Sequence, residues 1–173
     1  IWKTNKEKNL FKLNRKHGQT VTPGKTSLVH EGTFQAGETW QDIKFDKPVT
    51  GRYFAIEALS AMDGQDYAAI AELEILDEKG NPLKKEEWKV AYADSEEVDA
   101  EPGNAELVMD RQPVTFWHTA WSDNGPKYPH LLVLDLGGNK KISGFQYLPR
   151  PGASGGKIKD YRAYVSLKPF PGQ

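Results

Sequence analysis

The residues richest in chemistry lie between Asp110 and Arg150. They read Asp110-x-x-x-x-Thr115-x-Trp117-His118-Thr119-x-Trp121, then Tyr128-Pro129-His130, then Tyr147-Leu148-Pro149-Arg150. Aromatic rings, an imidazole and a guanidinium brought together are what a sugar site needs. A flat ring packs on the apolar C–H face of a pyranose, while His and Arg hydrogen-bond its hydroxyls. Trp117 and Tyr147 read as core residues. His118 and Trp121 are harder to bury together, and with Arg150 they are the candidate ligand contacts.

Catalytic patterns are missing. No Gly-x-Ser-x-Gly elbow, His-Glu-x-x-His pair or phosphate loop occurs. Gly152-Ala153-Ser154-Gly155-Gly156 lacks a following Lys-Ser/Thr and reads as a turn. The acid pairs Glu72/Glu74, Glu86/Glu87 and Glu96/Glu97 invite comparison with the two carboxylates of a glycosidase. Adjacent strand residues point to opposite faces, however, and Glu72 and Glu74 are expected to share a face for a structural reason. His17, His30, His118 and His130 lack the two-histidine spacing of zinc sites. This chain by itself is expected not to be an enzyme.

Composition narrows the classes further. With 173 residues the chain is one domain of ordinary size, or one domain and a tail. It has no cysteine, so disulfides, thiolate zinc sites and a cysteine nucleophile are excluded. Its 23 basic and 24 acidic side chains are too balanced for a whole-domain nucleic-acid binder. No apolar run approaches the roughly 18 residues of a membrane span, so no membrane insertion is expected. The start, Ile1, shows no charged-then-apolar leader and reads as that of a trimmed piece. Charge is uneven along the chain. Residues 1–25 hold seven basic residues and one acid, Glu7, and are read as a basic linker or leader, while Lys85–Asp110 holds two bases and nine acids.

Beyond residue 25 the pattern is that of strands. Short apolar or alternating runs recur at Leu28–Phe34, Trp40–Phe45, Arg52–Leu59, Ile70–Leu76, Trp88–Ala93, Leu131–Leu136, Ile142–Leu148 and Ile158–Ser166. Breakers at Gly37, Asp46–Pro48, Asp63–Gly64, Lys79–Pro82, Gly137–Asn139 and Pro149–Gly156 are expected to separate them. Leu131–Leu136 is apolar on both faces until Asp135, the mark of a central strand. No stripe of period 3.6 lasts three turns, so helices should be short or absent. These runs predict an all-β, jelly-roll-type double sheet. Ala93–Pro129 does not alternate and reads as loops on that scaffold, where binding usually resides.

Five groups of residues also carry a resemblance. They are Phe116-Trp117-His118-Thr119-x-Trp121-Ser122, Pro129-His130 with Leu134-Asp135-Leu136-Gly137, and Ile142-Ser143-Gly144-Phe145-x-Tyr147-Leu148-Pro149-Arg150. With them go Ile158-Lys159-Asp160-Tyr161-x-x-Tyr164-Val165-Ser166, and Glu31-Gly32-Thr33-Phe34 with Gly51-Arg52-Tyr53-Phe54, Ala58-Leu59-Ser60 and Ala71-Glu72-Leu73. Over about residues 28–166 these resemble the coagulation factor V/VIII type C (discoidin-like) domains. Among those they look most like the family 32 carbohydrate-binding modules of bacterial glycoside hydrolases. The resemblance implies a galactose-binding-like β-sandwich that binds a glycan or oligosaccharide without catalysis. It also implies a tethered catalytic domain in the full-length protein, and a secreted, periplasmic or cell-surface location. The alternative within the resemblance is a discoidin-type protein- or lipid-docking domain.

The resemblance places sugar contacts on His118, Trp121 and Arg150, adds Tyr67, and leaves galactose-type terminal sugars as a possibility. It implies a structural calcium ion near Asp110 and Thr115, with Glu72 reaching over. Five residues after Arg150 the family often has a sugar-bonding Asn, where this chain has Gly155. The order of the halves is reversed, because the family places the Trp-His-Thr half first. A circularly permuted domain over residues 26–173, joined through the polar turn Asp77-Glu78-Lys79-Gly80-Asn81-Pro82, accounts for that order.

Overall fold

The computed structural model describes residues 20–152 and 155–173; most of the basic segment read as a linker lies outside the described residues. The strands are β1 (Leu28–Thr33), β2 (Gln41–Ala58), β3 (Ala69–Ile70), β4 (Glu72–Asp77), β5 (Lys89–Ala93), β6 (Trp117–His118), β7 (His130–Leu148) and β8 (Asp160–Ser166). The helices among the described residues are two short 3-10 turns, Lys25–Ser27 and Ala105–Met109. All the strand pairings within the sheets are antiparallel. The fold is the all-β sandwich expected from the alternation.

Two of the expected breakers do not break strands. The chain runs through Asp46–Pro48 inside β2 and through Gly137–Asn139 inside β7. There the β2–β7 register slips, first between Lys44 and Val49 and again between Gly51 and Tyr53. Each slip inserts extra residues into one strand only, the local irregularity that sharpens bending. Gly144 lies where the strands press closest: a Cβ there would collide with the Ile43 carbonyl.

Ring contacts show how far the pair folds back. Phe54 is opposite Leu134, and Phe145 lies eleven residues further along β7. A straight strand would set those positions roughly 35 Å apart. The Phe54 and Phe145 rings are 5.2 Å apart instead. One layer therefore comprises β1, β8, the second half of β2, the first half of β7, and β5. The other comprises the first half of β2, the second half of β7, and β4. Between them Phe34 stacks on Tyr161 at 4.0 Å and lies 4.2 Å from Tyr147. Trp117 and Tyr147 are core residues, 1% and 0% exposed.

The outer face of the first layer is covered as well. Val21 and Phe170 pack on Tyr53, Ala55, Leu131, Val133 and Tyr164, and Thr22 N–H donates to the Pro171 carbonyl at 3.0 Å. That is why Leu131–Leu136 is apolar on both faces. Among the described residues, Val21, inside the stretch read as a lead segment, takes part in this packing.

Phe145 is fully buried between the layers. Phe145→Ala is expected to cost about 3–5 kcal/mol through lost burial and an unfilled cavity. Urea unfolding should show a lower midpoint at unchanged slope; a midpoint within error of the parent would show that the layers do not close on this ring.

Candidate functional site

The loops of interest leave one end of the sandwich, where β7 both starts and finishes and β4 begins. The short pair β3–β6 sits there, with Ala69 opposite His118 and Ile70 opposite Trp117. Strand alternation then sorts the residues of the Phe116-Trp117-His118 motif. Trp117 turns into the core, its Nε1–H donating to the Ser95 carbonyl at 2.9 Å. Phe116 and His118 turn the other way, with ring centroids 6.3 Å apart.

His118 is 4% exposed. Its Nδ1 is 2.7 Å from the Thr119 carbonyl, which can only accept, so Nδ1 carries the hydrogen. Burial lowers its pKa below the ordinary histidine value, outweighing the opposite pull of the Thr119 carbonyl and the Glu101 carboxylate. The ring is therefore neutral at pH 7 and its Nε2 is an acceptor. That nitrogen faces Gly156, where an added Cβ would come within 3.3 Å of it. Tyr67 completes this side, its ring 6.1 Å from the imidazole.

The Arg150 side chain is half-buried. Its guanidinium lies 4.2 Å over the Phe116 ring, and one terminal N–H donates to the Gly155 carbonyl at 3.2 Å. A cation over a ring face is favourable and holds the fork in place. Its Nε is buried with no acceptor. Trp121 is 42% exposed, with Nε1–H donating to Glu101 Oε1 at 3.0 Å; the same oxygen is 3.9 Å from His118 Nδ1. His118, Trp121, Arg150 and Tyr67 are thus gathered at one end, joined by Phe116 and Glu101. Phe116 stands two residues before His118 in a stretch read as loop, so the face that the two share follows from the short β3–β6 pairing and not from any alternation in the sequence. Glu101, among nine acids in an irregular stretch, gave no signal.

Glu97, 1% exposed, fixes the Trp121 loop. Its carboxylate accepts from the backbone N–H groups of Ala100 at 3.0 Å, Trp121 at 2.9 Å and Ser122 at 2.8 Å, and from the Ser122 hydroxyl at 2.8 Å. Burial would raise its pKa, but these donors outweigh it and hold the group at about 2.

Asp110, Thr115 and Glu72 also converge. Thr115 Oγ1–H donates to Asp110 Oδ2 at 2.6 Å, and Gln112 N–H donates to Asp110 Oδ1 at 2.8 Å and to Glu72 Oε1 at 3.1 Å. Burial, then the neighbouring Asp110 carboxyl, pushes Glu72 up to about 7. Lys85 Nζ bridges Glu72 and Glu74 at 2.9 Å each, the structural reason that those acids share a face. Among the described residues no group of three or more His, Cys, Asp and Glu forms a metal cluster. The donors that meet here are two carboxylates, a hydroxyl and the Gln112 carbonyl, all hard oxygens of the kind calcium takes.

Glu97→Gln is expected to destabilise by about 2–4 kcal/mol, because buried donors lose an ionised acceptor. Since the folded pKa is depressed, the stabilisation from Glu97 is complete above its ordinary value of 4.5 and is lost as pH falls toward about 2. Melting curves should show the parent losing stability across that window and the variant losing less; parallel profiles would remove Glu97 from this role.

The F5/8 type C domain family model matches residues 91–169. A sialidase from Micromonospora viridifaciens is 45% identical over 86 residues, which is 49% of this chain and 13% of the sialidase. A galactose oxidase from Gibberella zeae is 33% identical over 90 residues, 50% of this chain and 12% of the oxidase. The chain thus spans about an eighth of the length of these relatives. The stretch that matches this family model, residues 91–169, lies on an antiparallel all-β sandwich.

Proposed function

We propose that this chain is a non-catalytic carbohydrate-binding module that takes the terminal sugar of a glycan between Tyr67, His118, Trp121 and Arg150. The observation that carries this reading is the guanidinium of Arg150 spread on Phe116 beside a neutral, acceptor-bearing His118, with an exposed Trp121 on the same end. Arg supplies paired donors to neighbouring hydroxyls, His118 Nε2 accepts, and the indole supplies a stacking face. The family is one of binding modules. One relative is named for acting on sialosides and another for acting on galactose, and both names favour a sugar ligand, galactose-type among the candidates. Where the resemblance expects Asn and this chain has Gly155, the vacant space adjoins Asp63: a Cβ on Gly155 would lie 2.5 Å from its Oδ2. An acceptor is therefore present there, supplied by a different loop.

The finer parts of the reading follow. The module is accessory to a bacterial glycan-degrading enzyme, tethered to its catalytic domain, and works outside the cytoplasm, where polymeric glycans are met. The reversed order of halves reflects a circular permutation within one domain; in support, β4 from the first half hydrogen-bonds to β7 from the second. A calcium ion held by Asp110, Thr115, Glu72 and the Gln112 carbonyl supplies charge neutralisation to two adjoining carboxylates. Lipid docking is disfavoured, because the loop over residues 61–66 packs its one Met against the core and exposes Asp63 and Asp66.

A few net hydrogen bonds of about 1 kcal/mol each plus one ring stack, less binding entropy, give a Kd between about 10 µM and 1 mM. Titration with lactose should show such binding, and Arg150→Ala should abolish it while the protein stays folded, with a lowered Tm from the lost Phe116 stack and Gly155 bond. Binding equal to the parent's by the folded variant removes Arg150 from the ligand site; sedimentation with anionic liposomes but no lactose binding would favour the docking alternative. For the ion, excess calcium should raise Tm over a chelator-treated sample, because binding adds about 2.7 kcal/mol of stability at a hundredfold excess over Kd. An unchanged Tm would exclude the site.

A further inference from the structure

His130 is fully buried, and both its ring nitrogens meet acceptors. Nδ1 lies 2.8 Å from Asp94 Oδ2, and Nε2 lies 2.6 Å from the Asp66 carbonyl oxygen. A carboxylate and a carbonyl only accept, so each nitrogen must carry a hydrogen, and the ring is an imidazolium. Asp94 cannot turn away, because its other oxygen accepts Leu131 N–H at 3.1 Å. Tyr128 stands edge-on to the imidazole at 4.6 Å and donates its hydroxyl to the Tyr67 carbonyl at 2.5 Å. Two side chains of one short segment thus hold the carbonyls of two consecutive residues, Asp66 and Tyr67. Tyr67 is the ring that lies beside His118.

We propose that His130 is a positioning residue for the ligand site: as a doubly protonated ring it fixes the Asp66 carbonyl and so sets Tyr67 beside His118. This rests on the reading of Tyr67 as a ligand contact. The charged and titratable groups around the ring are the carboxylate of Asp94, the carboxylate of Asp66 with Lys127 Nζ at 3.7 Å from it, and the phenol of Tyr128. Burial opposes the charge on the ring, but Asp94 and Asp66 outweigh it and put the pKa above the ordinary 6.5. The stabilisation is therefore complete below 6.5 and is lost as pH rises through the folded value. The bond to the Asp94 carboxylate is the stronger of the two, so the proton that leaves is the one on Nε2. The Asp66 carbonyl then faces a lone pair, and the Tyr67 segment is left with its single tie to the Tyr128 hydroxyl.

Nitrogen-15 NMR of the His130 ring tests this, with the Tyr67 ring resonances and lactose affinity followed in the same samples from pH about 6 to about 9. Both nitrogens should be protonated at neutral pH. Tyr67 should shift with the midpoint of the His130 titration, and lactose affinity should fall about tenfold across it. Asp94→Asn supplies the control. Its amide oxygen can keep the Leu131 N–H while its amide N–H faces Nδ1, so a neutral ring protonated on Nε2 satisfies every partner. Tyr67 and lactose affinity should then stop responding to pH, an outcome that lost stability alone would not produce. A singly protonated ring at neutral pH, a Tyr67 indifferent to the titration, or a parental pH profile in Asp94→Asn overturns the proposal. If the parent binds no lactose at any pH while Tyr67 still tracks His130, the positioning role stands and the galactoside reading fails.

Discussion

Strand β7 hydrogen-bonds to β2 along much of its length, to β5 through its first half and to β4 through its second. A single continuous strand therefore belongs to both layers, and its bend near Gly137–Asn139 dictates where each layer can lie. The compensating register slip in β2 keeps the two strands paired on either side of that bend. Once they fold together, Phe54, Phe145, Tyr161 and Phe34 meet, and the core closes. The same bend brings His130 and Leu148, the two ends of β7, to one end of the sandwich. The loops that begin and end there are the ones that carry the candidate site.

Those loops have little regular structure of their own, so buried charge holds them. Glu97 gathers the backbone of the Trp121 turn, His130 and Asp94 hold the segment before Tyr67, and Lys85 bridges Glu72 and Glu74 beneath the Asp110 turn. Each ionised group has hydrogen-bonding partners, the condition under which a buried charge is tolerable. Such networks are sensitive to geometry. Removing one partner leaves a charge stranded, whereas a slack apolar contact can readjust. The site is thereby organised before any ligand arrives.

Much of the scaffold was legible because strand alternation is a local signal. Ala71, Leu73 and Ile75 face the core as their spacing requires, and Leu131–Leu136 is central because its two faces are both covered. The continuity of β2 and β7 was not legible, since Pro48 and Gly137 are usual strand breakers, and only the partner strand shows that a slip carries the chain past them. In the site, His118, Trp121, Arg150 and Tyr67 are legible as polar or aromatic residues at the ends of apolar runs, and the structure brings them to one end. The role of Glu101 depends on an irregular stretch folding back, which no periodicity reveals. The stacking of Arg150 on Phe116 is equally non-local, because it joins the strand end at β7 to the turn before β6.

If this end takes a sugar, as proposed, the division of labour among its groups would let a weak binder be selective. Stacking on Trp121 depends on area and is nearly indifferent to which hydroxyl is axial. Selectivity must come from groups whose direction is fixed, and three are: the Arg150 fork pinned on Phe116, the His118 acceptor set by the Thr119 carbonyl, and the Glu101 carboxylate held by the Trp121 indole. A sugar presenting a hydroxyl in the wrong direction would leave one of these unpaired, and an unpaired buried polar group costs more than a well-made bond returns. Fixing the side chains in advance removes most of the entropy loss on binding but adds no contact area. On the proposed function, affinity is modest while discrimination is sharp, and a module built that way would depend on a tether for retention on a substrate that offers many ends.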